Sequence, residues 1–522
     1  MIAATMANGL FAEDISEEQA LEIAGRFVQY EQMAMSDCKA PADESVLSVA
    51  YRMQSRVQKS SNNVYVVNIG DDQGFVIVSG ESGTEVDVLG YCDHGSFNFA
   101  DAPVQLQDLL NEYSVGIDSL RKNPDLATYK SDGKGVLDIL DYYPSYLGDL
   151  VVEPLIKSTW NQSSPYNYYT PNQCYTGCVP TAVAQVMRYW RWPDATRDSV
   201  YERTADNIRV KVDFSGRTYD WDNMLDDYEH GCTSEQADAV AKLMADVGKA
   251  METSYCKENG SPTFFYYESL IRNFGYEPGI VEVHGETAAD VRESLKTELD
   301  NGRPVLYVGY PTEGDGHAVV CDGYTANYYF HFNYGWGGNT DGFYRLSAVP
   351  IYVNDVTAWT NFRPYDAEEK VIDKIKYGLL ANGTAEILDY TGGGMNVENG
   401  ALVIPDTITD EATDKKYAVT RIRKEAFFRK GNFDKITFGN NIETIDRFAF
   451  ILSTIDSVIL SDKMEVVPDE AFQVANVKYL YIGENVKRIG THRDSTNPPH
   501  LLQGRTARNI RPYRHTHRYI FQ

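Results

Sequence analysis

Cys178 stands in the run Gln173-Cys-Tyr-Thr-Gly-Cys-Val-Pro-Thr-Ala-Val-Ala-Gln-Val-Met-Arg-Tyr189. A glycine precedes it, and the stretch after it is helix-forming with a proline in its first turn. That pattern predicts a thiol at a helix N-terminus, where the helix dipole favours thiolate over thiol. His317 follows 139 positions later, in Gly314-Asp-Gly-His-Ala-Val-Val320, and Asn333 follows 155 positions after the cysteine, in Phe332-Asn-Tyr-Gly-Trp-Gly-Gly338. A thiolate, a base that can return a proton to a leaving amine, and an amide that orients the base are the parts of nucleophilic acyl transfer. Each residue alone has a plainer reading. A free cysteine is most often a packed core residue, and a lone histidine opening an apolar run is most often a strand residue. The three together carry the functional expectation.

A Cys, then a His and an Asn about 130–150 residues on, is the order of papain-like thiol proteases. The elements that must position them read consistently. The segment around Cys178 and the stretch Ser234–Ala250 are helical. Pro304–Gly309, His317–Gly323, Tyr328–Asn333 and Gly342–Leu346 are strand-like. Helix first and sheet second gives an α+β, papain-like arrangement for residues 151–366.

Ahead of it, Ser16-Glu-Glu-Gln19 is a capping box opening a helix over Ala20, Ile23, Ala24, Phe27 and Val28. Asn63–Ile69 and Phe75–Ser79 flank a Gly-rich turn as a β-hairpin. Leu106, Leu109, Leu110, Tyr113 and Ile117 mark an amphipathic helix. Tyr129–Gly135 is polar and Gly-rich, a linker with Lys130 and Lys134 as cleavable positions. Residues 13–150 are therefore expected as a compact α+β unit plus linker. Residues 1–12 are small and apolar, like the end of a secretory signal, but lack a basic start.

At 522 residues the chain exceeds one core, and about three domains are expected. A net charge of -27 repels nucleic acid and anionic lipid. No apolar run reaches the roughly 18 residues that span a bilayer. The seven cysteines are odd in number and sparse, so no disulfide framework is expected. No Cys/His cluster has zinc spacing, and no metal or other cofactor is expected. His331, alternating with Asn333, is read as structural, Cys321 as core, and His94, His230 and His284 as surface or satisfied residues.

The C-terminal third repeats. Val419-x-x-Ile422-x-x-x-Ala-Phe427 recurs at Ile442–Phe450 and Met464–Phe472, and Val486-x-x-Ile489 begins a fourth unit. A period of 22–23 with one short strand per unit predicts a leucine-rich-repeat solenoid over 380–490. The end, 491–522, breaks the repeat and carries six Arg and four His, and is read as a basic tail, disordered or non-native.

Three segments carry a resemblance. Thr176–Met187, Gly316-His-Ala-Val-Val-Cys-Asp-Gly-Tyr324 and Asn333-Tyr-Gly-Trp-Gly-Gly-Asn-Thr-Asp-Gly-Phe-Tyr-Arg-Leu346 resemble the streptopain family of bacterial cysteine peptidases. Thr159–Asn167 is similar to the start of that family's mature domain, and Gly74–Gly80 with Leu89-Gly-Tyr91 to its inhibitory prodomain. The repeats are similar to those of BspA-like surface proteins. The resemblance implies a secreted zymogen, extracellular or cell-surface associated, inhibited by its own prodomain and acting on proteins or peptides. It implies Cys178 as nucleophile, His317 as base then acid, Asn333 as its orienting residue, Gln162 in the oxyanion hole, and Trp336 as a shield over the His–Asn hydrogen bond. The sequence departs at Tyr334, where the family has Trp, and an indole donor is lost. Two rivals stand beside this reading: an acyltransferase of transglutaminase type using the same residues, and a surface adhesin with a degenerate peptidase fold, against which the intact Cys178, His317, Asn333 and Gln162 argue. A protein or cell-surface ligand is expected for the repeats.

Overall fold

The computed structural model describes residues 13–35, 46–123, 147–309, 317–348 and 356–489, less 85, 204–207, 257–260, 264, 278, 286–287, 366, 395–396 and 469, together with short strands between 500 and 520. The leader-like residues 1–12, the Tyr129–Gly135 linker and the Gly314–Gly316 turn lie outside the described residues. The chain divides into two compact units, residues 1–364 and 365–522.

The first unit opens with helix α1 (Glu17–Met35). Its capping box forms as expected: Ser16 N–H donates to Gln19 Oε1 at 2.8 Å, and Gln19 N–H to Ser16 Oγ at 3.3 Å. Strands β1 (Leu47–Gln54), β2 (Asn62–Ile69), β3 (Phe75–Ser79) and β4 (Val88–Cys92) form an antiparallel meander. Helix α2 (Val104–Lys122) packs on it with Leu106, Leu110, Tyr113, Ile117 and Leu120 buried, an apolar stripe at helical spacing. Tyr113 Oη reaches the carbonyls of both Leu89 and Arg345, so the helix is tied to early and late parts of the chain.

After β5 (Leu150–Val152) come α3 (Cys178–Trp190), the β6–β7 ribbon (Ser199–Arg203, Arg209–Asp213), α4 (Ser234–Ala250) and α5 (Tyr267–Phe274). Strand β8 (Val281–Gly285) and helix α6 (Ala288–Asp300) lead into β9 (Val305–Gly309), β10 (His317–Thr325), β11 (Phe330–Asn333), β12 (Gly342–Tyr344) and β13 (Val356–Thr360). Strand β11 starts two residues later than its sequence suggests, because Tyr328 adopts φ 61° in the preceding turn.

Strands β1–β4 share one sheet with the strands that carry the candidate site. Among the described residues one sheet runs β1-β2-β3-β4-β12-β11-β10-β9-β13-β8, and β4 pairs directly with β12 through Phe343 opposite Tyr91 and Tyr344 opposite Gly90. Gly90 is required there: a Cβ would sit 2.5 Å from the Tyr344 ring. α2 packs against the same core cluster as β10–β12, whereas α3, α4 and α5 share a second cluster with Leu306, Val320 and Trp359.

The second unit begins with antiparallel strands β14–β16 (Glu368–Ile372, Ile375–Leu379, Thr384–Tyr390). Next come β17 (Glu398–Val403), β18 (Thr407–Asp410) and β19 (Lys415–Ile422). The repeats then stack as β20 (Asn432–Thr437), β22 (Thr454–Ile459) and β24 (Asn476–Ile482), parallel and in register, with Ile436, Val458 and Leu480 facing inward. Each repeat carries a second two-residue strand, β21 (Thr444–Ile445), β23 (Val466–Val467) and β25 (Arg488–Ile489), where one strand per unit was expected. Phe427, Phe450 and Phe472 stack with centroids 4.7 and 4.9 Å apart, an aromatic column through the core. In the tail, His500–Gln503 pairs in parallel with β24 and continues the stack into a segment expected to be disordered.

Candidate active site

Cys178 is the first residue of α3, and the glycine before it is forced by geometry. Gly177 sits at φ 94°, and a Cβ there would lie 2.7 Å from the Ser261 carbonyl oxygen. Pro180 occupies the first turn, where its missing N–H costs nothing. Thr181 Oγ1 donates to Gly177 O at 2.9 Å and closes the turn.

The thiol lies beside the start of β10. Cys178 Sγ accepts the Ala318 N–H at 3.5 Å, one residue from His317. Burial pushes the Cys178 thiol up, and the N–H groups of Ala318, Val179 and Cys178 itself pull the other way without overcoming it. The helix N-terminus was expected to favour thiolate, but here desolvation outweighs its N–H groups.

His317 opens β10 and is about a quarter exposed, with Nε2 4.0 Å from Asp108 Oδ2. Asp108 belongs to α2, in the N-terminal segment. Its Oδ2 is buried without a hydrogen bond among the described residues, and burial raises the carboxyl to about 6. Nothing in the sequence singled out Asp108, which reads as one more acid on the polar side of an amphipathic helix.

Asn333 ends β11 and is buried. Its Oδ1 accepts from Gln185 Nε2 at 2.8 Å and from Gly335 N–H at 3.1 Å, and its Nδ2 donates to Ser158 O at 2.8 Å. It makes no hydrogen bond to His317 among the described residues. Gln162 is buried sixteen residues before the nucleophile, and its carbonyl accepts the Thr176 N–H at 3.1 Å. Its side-chain amide makes no hydrogen bond among the described residues, so it remains available to an oxyanion. Trp336 is half-buried, 6.4 Å from the exposed Tyr175 ring, with Nε1 buried and without a hydrogen-bond partner among the described residues. Tyr334 is a core residue packed edge-on to Tyr344, its N–H donating to Asp341 Oδ1 at 2.8 Å.

Two features were not legible in the sequence. Cys174 and Cys256, 82 residues apart, form a disulfide that joins the loop before the nucleophile to the loop carrying Ser261. Ser261 Oγ donates to Tyr175 O at 2.6 Å across the same junction. The seven cysteines, read as no disulfide framework, still yield this one bridge, because the pairing depends on tertiary approach that spacing does not encode. Second, Cys92, Asp93 and His94 bring three ligand-type atoms within 4.8 Å of one another. Both His94 nitrogens are committed, Nδ1 to Asp93 at 2.7 Å and Nε2 to Gly338 O at 2.6 Å, while Cys92 Sγ donates to Asp341 O at 3.2 Å. The bonds to Asp93 and Cys92 hold His94 up to about 11. A charged imidazolium tied to the loop after Trp336 describes this cluster better than a metal ligand set. His331 is structural as expected, with Nδ1 2.6 Å from buried Asp322, and Cys321 is fully buried.

Comparison with known families agrees with this layout. A model of the peptidase C10 family matches residues 160–344. The central segment is a C10-family cysteine peptidase. The Spi protease inhibitor family matches residues 12–117, and the BspA type leucine rich repeat region matches 412–493 in six copies. Streptopain of Streptococcus pyogenes is 29% identical over 379 residues, covering 66% of this chain and 88% of streptopain. The thiol protease/hemagglutinin PrtT of Porphyromonas gingivalis is 29% identical over 309 residues, 55% of this chain, which spans 34% of PrtT. A prointerpain A fragment from Prevotella intermedia superposes with a TM-score of 0.46 at 24% identity, covering 60% of this chain and 97% of the fragment. The C10 peptidase therefore carries its own inhibitor segment: it is an endopeptidase made as a zymogen.

Proposed function

We propose that Cys178 is the nucleophile of this C10 peptidase and His317 its base and then its acid. The observation that carries this is the placement of Cys178 Sγ against the Ala318 N–H, which brings the thiol at the head of α3 to the residue beside His317. The thiolate adds to the substrate carbonyl, and the oxyanion takes hydrogen bonds from the Cys178 N–H and the Gln162 amide. His317 protonates the departing amine, and water then hydrolyses the acyl-enzyme. Asn333 orients the imidazole, and Trp336 keeps water from that hydrogen bond, which strengthens it.

The N-terminal segment holds this machinery at rest. It sets Asp108 against His317 while burial keeps the Cys178 thiol protonated. Cleavage within 126–152 followed by departure of 13–123 would free His317 from Asp108. The protein works outside the cell or on its surface, and the Cys174–Cys256 disulfide supports an oxidising compartment. The repeats bind a protein or cell-surface partner, which the extended surface of a solenoid suits. Among the described residues no helix is long and apolar enough to cross a membrane.

Cys178→Ala tests the assignment. It should abolish cleavage of a labelled protein and leave the chain unprocessed, since loss of a nucleophile acting with its base costs on the order of 10⁶ in rate. Running the wild-type assay with an added amine separates hydrolysis from acyl transfer. Wild-type proteolysis by Cys178→Ala would exclude this nucleophile, and amine incorporation in place of hydrolysis would favour the acyltransferase reading.

A further inference from the structure

We infer that Gln185 is a positioning residue for catalysis: it fixes which end of the Asn333 amide faces the site. The inference rests on the reading of Asn333 as the residue that orients His317. Gln185 lies on α3 seven residues after Cys178, about two turns on, which returns it to nearly the same face of the helix. It is fully buried, inside a run that is otherwise Val, Pro, Thr, Ala, Val and Ala. A glutamine so placed is costly unless its amide is satisfied.

It is satisfied in one way only. Gln185 Oε1 accepts the Trp160 N–H and the Ser158 hydroxyl, both at 3.1 Å, and Nε2 donates to Asn333 Oδ1 at 2.8 Å. A backbone N–H can only donate, so Trp160 fixes the glutamine oxygen on its own side and turns the NH₂ group toward Asn333. The asparagine is fixed by the same logic. Ser158 O can only accept from it, and the Gly335 N–H can only donate to it. Flipping the Asn333 amide would set its oxygen against the Ser158 carbonyl and its NH₂ against two donors. Three bonds therefore hold one orientation, and Gln185 is the only side chain among those three partners.

The productive site needs Asn333 to meet an imidazole N–H with its oxygen. On that reading, Asn333 Oδ1, which accepts from Gln185 and Gly335 here, must also meet the imidazole once the site is productive, and rotational freedom in the amide would then become freedom in His317. Gln185 also ties three parts of the site together. Its own helix carries Cys178, Trp160 lies two residues before Gln162, and Asn333 ends β11. The sequence held a faint signal: one amide in an apolar helix, at the nucleophile's position plus seven.

The test compares Gln185→Glu with Asn333→Ala on the processed enzyme. An ionised glutamate keeps the shape but cannot donate to Asn333 Oδ1, whereas a protonated one can. We expect Gln185→Glu to lower kcat between about 10-fold and 100-fold at neutral pH with KM little changed. Activity should recover toward acid as the new carboxyl protonates, a limb absent from the wild type. The double variant Gln185→Glu/Asn333→Ala should be no slower than Asn333→Ala alone. A folded Gln185→Glu enzyme with wild-type kcat and pH profile, or losses that add in the double variant, would overturn the inference. If Asn333→Ala itself keeps wild-type kcat, the reading of Asn333 fails, and that outcome is seen in the single variant. Should Gln185→Glu not fold, Ser158→Ala carries the test: it removes one of the bonds on Gln185 Oε1 and should lower kcat alone, while unchanged kcat would overturn the proposal.

Discussion

His317 Nε2 and Asp108 Oδ2 lie 4.0 Å apart, and the two residues come from opposite sides of the segment that a zymogen must cut. Asp108 arrives on α2, and His317 begins β10. The contact needs a carboxyl oxygen buried at the seam with no hydrogen bond among the described residues. That is an unfavourable place for a charge, and it makes the hold of the N-terminal segment sensitive to pH.

Burial raises Asp108 to about 6 while the segment is docked, and release returns it to the ordinary range near 3.9. A carboxyl raised by docking favours the docked state below its free pKa. That contribution is lost as pH rises through about 6. A chain nicked between residues 124 and 146 should therefore keep its N-terminal piece more tightly at pH 5 than at pH 7, on the order of tenfold. Dissociation followed by gel filtration at the two pH values measures this. Asp108→Asn should remove most of the dependence, and tighter retention at pH 7 would reverse the sign argued here.

Gln162→Ala should lower kcat by about 10²–10³ with little change in KM, because an oxyanion donor works in the transition state. Its side-chain amide has no competing partner among the described residues, so the loss should not be masked by rearrangement. Steady-state kinetics on a small peptide checks it. A rise in KM at unchanged kcat would place Gln162 in substrate binding instead.

The local parts of this molecule were readable before the structure, and the joints were not. The Ser16 capping box, the helix at Cys178, helix α4 and the repeat phase at Ile422, Ile445, Val467 and Ile489 depend on neighbours within one or two turns or one repeat. Strand β4 was missed because Val88–Cys92 is buried on both faces and shows no alternation. Asp108, Gln185 and the Cys174–Cys256 bridge were missed because each acquires its role from a partner 82 to more than 200 residues away. Residue type at the site was legible. The company each residue keeps was not, and Asn333 shows it, since its amide is held by Gln185, Ser158 and Gly335.

His331→Leu should destabilise the first unit without touching the chemistry. Burial alone would lower the His331 pKa, but the Asp322 carboxylate beside it outweighs burial and raises it. Asp322 is fully buried and also accepts the Ile156 N–H at 2.9 Å. Removing the histidine leaves that carboxylate unpaired, at a cost of about 3–5 kcal/mol. The pair's contribution is complete below the ordinary histidine pKa of about 6.5 and is lost as pH rises through the raised value. Thermal unfolding should show wild type losing its advantage over His331→Leu on the alkaline side. Equal stability at pH 6 would remove the structural role.

Phe450→Ala should unfold the repeats and spare the peptidase. Phe450 stacks on Phe427 at 4.7 Å and on Phe472 at 4.9 Å, and all three side chains are buried. A solenoid unit buries its face only against its neighbours, so one void in the column weakens both interfaces. Truncating a buried phenylalanine costs about 3–5 kcal/mol. Every candidate catalytic residue lies in the other compact unit, residues 1–364. Limited proteolysis should therefore cut the variant after residue 365 while peptide hydrolysis by the processed enzyme stays at the wild-type rate. A chain ending at Asp366 should behave the same way on small peptides. If either loses activity while residues 151–364 remain folded, the repeats help to build the catalytic site, and the division of labour between the two units is wrong.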